Sequence, residues 1–295
     1  MTNSIDRRAL MGGALGMGAG GLALASGIAP ANAAAAAPAL NALPTTDAER
    51  SAMIRRMRFR TDAGYIWWWM RGETYAQQGA KLTPLFGLLF GSAMKVTPNA
   101  DGSVDVLQTE VGFRFDLNTG KRLRTFRNPI TNEDISIPYT PVGPTKAHYD
   151  PNNTLDLPAQ VGGAMMQLHH ATDRLYRVGE MVAFRTHTAA HVQTEGQADR
   201  DVNDLSILFS PAAEALNPKV TNATCWVQGS DVANYARWLK MPQGSGNQTI
   251  RTVGQKVTSL SDMPQDWLAM VEEEEPRLAR EPEYAFTRAQ SPYRN

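Results

Sequence analysis

The period of the hydrophobic positions changes along this chain. Over "TTDAERSAMIRRMRF", Met53, Ile54 and Met57 recur at i, i+1 and i+4, which predicts a short helix with one apolar stripe. Thr46 or Asp47 can cap it, and the early acids Asp47 and Glu49 suit the positive end of its dipole. From Tyr65 the period becomes two. "YIWWWMRGETYAQ" predicts two strand segments broken near Arg71-Gly72. Val104, Val106, Val111, Phe113 and Phe115 then alternate with polar residues around "NADGS" and "DLNTG", turn sequences that favour positive φ. "KAHYDP" reads as a loop within a Pro-, Gly- and Asn-rich connection. Alternation resumes on both sides of "RVGE", through "NDLSILFSPAAEAL" and again in "GSGNQTIRTVGQKVTSL". A last helix is expected around Trp267, Leu268 and Val271. Its run Glu272 to Glu275 opposes the dipole and reads as a solvated final turn. No βαβ alternation and no internal repeat occur. The expected fold is therefore mainly β: an antiparallel meander closed or nearly closed into a lipocalin-like or calycin-like barrel, with a few short peripheral helices.

The first residues change the picture of where this barrel works. Arg7-Arg8 precede a Gly- and Ala-rich, mildly apolar stretch and then "ANA" at 31–33, the order of a twin-arginine signal peptide. Residues 1–33 are expected to be that signal, 34–45 a flexible tether, and 46–295 a single mainly-β domain in the periplasm. No later apolar run is long enough to span a bilayer, so no stable membrane insertion is expected after cleavage. Charge is balanced, with 29 Lys and Arg against 29 Asp and Glu, and offers no basic field for nucleic acid. The single cysteine, Cys225, leaves no internal disulfide and no Cys-rich metal centre, and reads as a small core residue.

Several stretches resemble an uncharacterised bacterial family, numbered 1838 among the domains of unknown function. They are "YIWWWMRGETY", "PLFGLLFGSAMKV", "TEVGFRFDLNTGKRLRTFRNPITNED", "RWLKM" and "VGQKVTSLSDMP", in that order. The resemblance implies twin-arginine export and a β fold. It transfers no catalytic residue.

Candidate chemistry comes from histidines and arginines placed in strands. In "MVAFRTHTAAH", Arg185, His187, Ala189 and His191 share a parity with Met181 and Ala183, so one face is apolar at one end and basic at the other. This face is the expected pocket wall, with His187 or His191 moving a proton and Arg185 stabilising developing negative charge. His169 and His170 are expected to bind substrate from a neighbouring strand, and two imidazoles on one face with either of them could instead hold a metal. In "GYIWWWMRGETY", Tyr65, Trp67 and Trp69 take one face and Ile66, Trp68 and Met70 the other. If the Met53, Ile54 and Met57 stripe supplies the outer cover of this strand, the inner face lines the pocket, with Tyr65, Trp67 and Trp69 as the ligand wall and Arg71 at its rim. Arg114 points away from Val111, Phe113 and Phe115, into solvent if these fill a core, or inward if the barrel holds a polar cavity. No "HExxH", "GxSxG", P-loop or dinucleotide fingerprint occurs, and no cofactor is expected.

The function expected from these features is that of an exported, cofactor-independent lyase or isomerase, transferring a proton on a hydrophobic aromatic or terpenoid small molecule. A lipocalin-like carrier without chemistry and a His-ligated, metal-dependent hydrolase or oxygenase are the alternatives. Sheet edges left unpaired would favour a homo-oligomer.

Overall fold

A computed structural model describes residues 42–289, except 140, 158–159, 162–163, 173–174 and 196–198. The expected signal peptide and residues 34–41 of the tether lie outside the described residues. Among those described, twelve strands form one sheet whose neighbours all pair antiparallel, and it curls into a nearly closed barrel. Its left half runs β7 (Leu155–Asp156), β6 (Val142–Tyr149), β3 (Val104–Phe115), β2 (Lys81–Pro98) and β1 (Gly64–Gln78). It continues through β14 (Asn247–Val257), β13 (Trp226–Ala233), β12 (Arg200–Pro211), β11 (Met181–Thr194), β9 (Ala164–Thr172) and β8 (Gln160–Val161). β10 (Tyr176–Val178) pairs with the first residues of β11. A separate hairpin, β4 (Thr125–Arg127) and β5 (Asp134–Ser136), packs at one end.

The expected break at Arg71-Gly72 is not there: β1 is one continuous strand of 15 residues. Gly72 allows this, because a Cβ there would lie 1.9 Å from the carbonyl oxygen of Arg251 on β14. The glycine serves close strand approach, not a turn. "KAHYDP" is likewise mostly strand, in β6, pairing with Val104 to Leu107 across the sheet.

Helix α1 (Asp47–Arg58) carries its stripe Met53, Ile54 and Met57 into one end of the barrel, against Ile66, Trp68, Val106, Tyr149, Phe184 and Leu208. Thr46 caps its start, accepting from the Glu49 amide at 3.3 Å. Its end is fixed from inside the barrel wall. Lys256 Nζ donates to the carbonyls of Arg56 at 2.8 Å and Phe59 at 2.7 Å, and Trp68 Nε1 donates to that of Arg58 at 3.2 Å. These carbonyls have no partner within the helix, so barrel side chains supply it, and the ammonium meets the negative end of the dipole. The opposite end is closed by Phe86, Phe126, Ile135, Trp238 and Leu239, with Phe86 stacked on Trp238 at 5.6 Å.

A second layer covers β1, β2 and β3 from outside. Helices α3 (Gln265–Glu274), α4 (Pro276–Arg280) and α5 (Tyr284–Thr287) follow the short α2 (Ala212–Ala215) in the chain. They bury Trp67, Leu89, Val111, Phe113 and Phe115 beneath Trp267, Met270 and Phe286. Trp267 lies on Gly91, where a Cβ would come within 2.4 Å of its ring, and donates Nε1–H to the carbonyl of Val111 at 3.2 Å. The glutamate run expected to be solvated is instead paired. Glu273 and Glu274 hold Arg122 and Arg124, and Glu275 accepts from Arg288 at 2.6 Å and from the Tyr139 hydroxyl at 2.9 Å. Arginines donated by the sheet and its following loop outweigh the unfavourable dipole.

Lys256→Met keeps the volume of the side chain and leaves the Phe59 carbonyl without its donor, while the Arg56 carbonyl keeps the Ala223 amide at 3.0 Å. It is expected to cost about 1–3 kcal/mol of stability, the usual cost of one buried group left unsatisfied. Urea unfolding measures this; an unchanged midpoint would show that the helix end is held by other contacts.

Candidate functional site

Between the α1 plug and the Phe86–Trp238 end lies a cavity of about 570 Å³. Strand alternation fixes what lines it. On β3 the inward residues are Gln108, Glu110, Gly112 and Arg114; on β11 they are Thr188, Ala190 and Val192. Met70, Leu88, Phe90, Leu168 and Ile250 supply apolar wall. Leu155 and Leu157 on one side and Met166 and Leu168 on the other carry the lining to the gap between β7 and β8, where the sheet does not close.

This parity corrects several expectations. Arg185, His187 and His191 lie on the outer face of β11, because Thr188, Ala190 and Val192 take the inner one. Arg185 is exposed. His187 bonds Asn203 at 2.8 Å, and His191 bonds Asp201 at 2.8 Å and Asp199 at 3.3 Å. Hydrogen bonding to Asp201 raises the His191 pKa above the usual imidazole value. His169 is also exposed, lining with His191 a shallow open groove outside the barrel. Tyr65, Trp67 and Trp69 face outward under the C-terminal helices, not into the cavity. Arg71 is on the same outer face, in an ion pair with Asp266. The upstream helix covers Ile66 and Trp68 from inside the barrel, not from outside as expected. The barrel wall separates His170 from His169, His187 and His191. Among the described residues, no three His, Cys, Asp or Glu side chains are grouped to hold a metal.

Two of the expected residues do face inward. Arg114 lines the cavity, although Val111, Phe113 and Phe115 fill a core. Both readings of "VGFRFD" hold together, because this strand is covered on both faces. His170 sits at the plug end, its Nε2 3.3 Å from Nη1 of Arg58 and its Nδ1 2.8 Å from Oγ1 of Thr188. Arginine has no acceptor, so Nε2 accepts and Nδ1 carries the proton donated to Thr188. Burial first, then the Arg58 charge, pushes the His170 pKa down to about 4, and the ring is neutral at pH 7. The Arg58 guanidinium in turn lies over the Tyr149 ring, 4.9 Å from its centroid.

Sequence alternation gave no sign of the carboxyl groups inside. His170 pairs across the sheet with Thr188, Thr188 with Asp204, and Asp204 with Asp231. Four adjacent strands thus present polar side chains at one level of the inner wall. Asp204 stands opposite Asp231 in the register of β12 and β13, and Ser206 Oγ donates to Asp204 at 3.0 Å. Burial, then Asp204, pushes the Asp231 pKa up to about 8. Burial likewise raises Glu110 to about 7, against the opposing effect of its hydrogen bond from Gln108. Asp204 and Glu110 act on each other's side of the lumen, as do Arg114 and Arg200. β3 therefore faces β12 and β13 across the cavity.

The fold and this lumen define a mainly β protein whose nearly closed antiparallel barrel holds a cavity of mixed polarity. Residues 62–291 match the family model described as "Protein of unknown function (DUF1838)", and the chain belongs to that family. No curated protein matches it.

Asp231 and Glu110 bind protons more tightly folded than unfolded. Their contribution to stability is therefore full below pH 4 and is lost as pH rises to about 7–8. Asp231→Asn keeps the shape and a donor for Asp204 but cannot ionise. It should gain stability relative to the parent chain as pH rises from about 4 to 8, by more than about 1 kcal/mol in total, and remain level beyond. Urea unfolding at a series of pH values tests this; parallel curves for the two proteins would refute the raised pKa of Asp231.

Proposed function

We propose that this protein is a cofactor-independent enzyme that transfers a proton on a largely apolar small molecule held in the barrel lumen, as in a lyase or isomerase reaction. The observation that carries this reading is the Asp204–Asp231 pair, two carboxyls set opposite each other on a cavity wall, with burial and Asp204 pushing the Asp231 pKa up to about 8. A carboxyl raised in this way beside a second one can give and take a proton near neutral pH. Asp231 donates its proton to the ligand, and Asp204, hydrogen-bonded by Ser206, takes one back. The balance needs no other reactant. Thr188 stands at the same level, with its hydroxyl oxygen already accepting from His170, so its own hydrogen is left to orient a ligand oxygen. The residues expected to do this chemistry, His187, His191 and Arg185, are replaced in the proposal because they face outward. Aromatic and terpenoid compounds suit the apolar wall of Leu88, Phe90, Leu168 and Ile250.

A carrier without chemistry is the second reading, favoured by the apolar share of the same wall. Work in the periplasm is proposed on the Arg7-Arg8 leader alone.

Proton transfer can be detected before the substrate is known. The protein is incubated in D₂O with a panel of aromatic and terpenoid compounds, and deuterium uptake is followed by mass spectrometry. The parent chain should label at least one compound, and Asp231→Asn should slow labelling by about 100-fold or more, the usual worth of a general acid or base. Compounds that bind but never exchange would favour the carrier.

A further inference from the structure

Arg114 is the cavity residue that neither the fold nor the acid–base pair uses. It lies deep in the barrel, and its Nε has no hydrogen-bond partner among the described residues. Its neighbours do not compensate its charge. The charged group that acts on it is Arg200, of the same sign, and burial together with that repulsion lowers its pKa to about 10. At that value the guanidinium is still charged at pH 7. Glu110, the next inward residue beyond Gly112 on the same strand, has its carboxyl bonded by Gln108.

The position is nonetheless shaped for a guanidinium. Gly112, the inward residue between Glu110 and Arg114, has no side chain, and a Cβ there would lie 3.2 Å from Nη1 of Arg114. The guanidinium therefore lies over the glycine. The same point is 3.5 Å from Cδ2 of Phe90 and 3.8 Å from Cδ1 of Leu88. An unpaired cation thus ends an apolar wall, in a lumen where burial makes both Glu110 and Asp231 hold their protons more tightly than usual. A buried charge without a partner costs several kcal/mol, on the order of a typical ion's effective desolvation penalty. Such a cost is retained where a ligand supplies the counter-charge.

We infer that the lumen takes an amphipathic anion, with a carboxylate or an equivalent acid group on Arg114 and its apolar body along Leu88 and Phe90. This rests on the reading of the lumen as the ligand site and adds the substrate class to it. The Asp204–Asp231 pair, on the opposite wall, then meets the body of the ligand and not its acid group. Proton transfer would fall at a carbon or oxygen remote from the carboxylate.

Three amphiphiles of one chain length separate the possibilities: decanoate, decanamide and decylamine, measured by isothermal titration calorimetry on the full chain. Decanoate should bind the parent protein about 30-fold or more tighter than decanamide, the usual consequence of leaving a buried charge unpaired. Decylamine should bind weakest. Arg114→Met should abolish the preference for the acid, and Arg114→Lys should keep part of it. The ligand-free Arg114→Met protein should also melt several degrees higher than the parent, because an uncompensated charge is gone. Equal binding of acid and amide by the parent chain overturns the inference without needing any variant. So does a preference that survives in Arg114→Met or, if that variant does not fold, in Arg114→Gln. Ala190→Trp, which fills the lumen, tells this failure from that of the underlying reading. If acid and amide bind alike and both are lost in Ala190→Trp, the lumen is the ligand site and only the anion is wrong. If no amphiphile binds the parent chain, or binding survives Ala190→Trp, both readings fall together.

Discussion

Lys256 joins the two parts of this molecule that must stay joined. Its ammonium, 4 % exposed, donates to the last carbonyls of the helix that stops one end of the barrel. Burial lowers its pKa to about 7, the reverse of what a solvated lysine shows, so the site carries a real desolvation cost. The cost is offset by what the helix does. With the plug seated, Met53 and Met57 fill the barrel end and Arg58 reaches His170 and Tyr149 at the edge of the cavity. Without it, water would enter, and the carboxyls of Glu110 and Asp231 would regain ordinary acidity. The proton affinity of these lumen carboxyls thus depends on contacts made at the end of the barrel.

Most of the architecture was legible in the sequence. The two turn sequences, the alternation through β3 and the helical stripe before β1 all lie where residue pattern put them. What pattern could not give is which parity faces in. A sheet with one wet face announces its core face, but here β1, β2 and β3 are covered twice, by the plug and lumen on one side and by α3 to α5 on the other. Trp67 and Trp68 are both buried, on opposite faces, and nothing in "WWW" ranks them. β11 misled for a related reason. Met181 and Ala183 made the odd face look interior, while Val182, Phe184 and Val192, fully buried on the even face, are spread among threonines and alanines.

The carboxyl pair was illegible for a different reason. Asp204 lies in "NDLSILF" and Asp231 in "QGSDVA", stretches whose polar residues read as an ordinary solvent face. They meet only because β12 and β13 pair in a register that sets them opposite each other. Cross-strand neighbours are fixed by register, and register follows from turns and core packing together. By contrast Arg114 was visible as a candidate because its own strand posed the question: a charged residue flanked by two phenylalanines must be either outside or in a polar cavity.

Two kinds of polar group therefore share this interior, and their states of satisfaction differ. His170, Thr188 and Asp204 are bonded to neighbours, so they hold geometry at little risk to the fold. The Arg114 side chain has its Nε without a partner, and Gly112 keeps the space around it open. A barrel selected for stability alone would replace that guanidinium with an apolar side chain, as buried ions commonly allow. The fold tolerates it where Gly112 leaves the wall without a side chain. The satisfied groups are what a rigid scaffold requires, and the unsatisfied one is where the proposed anion would complete it.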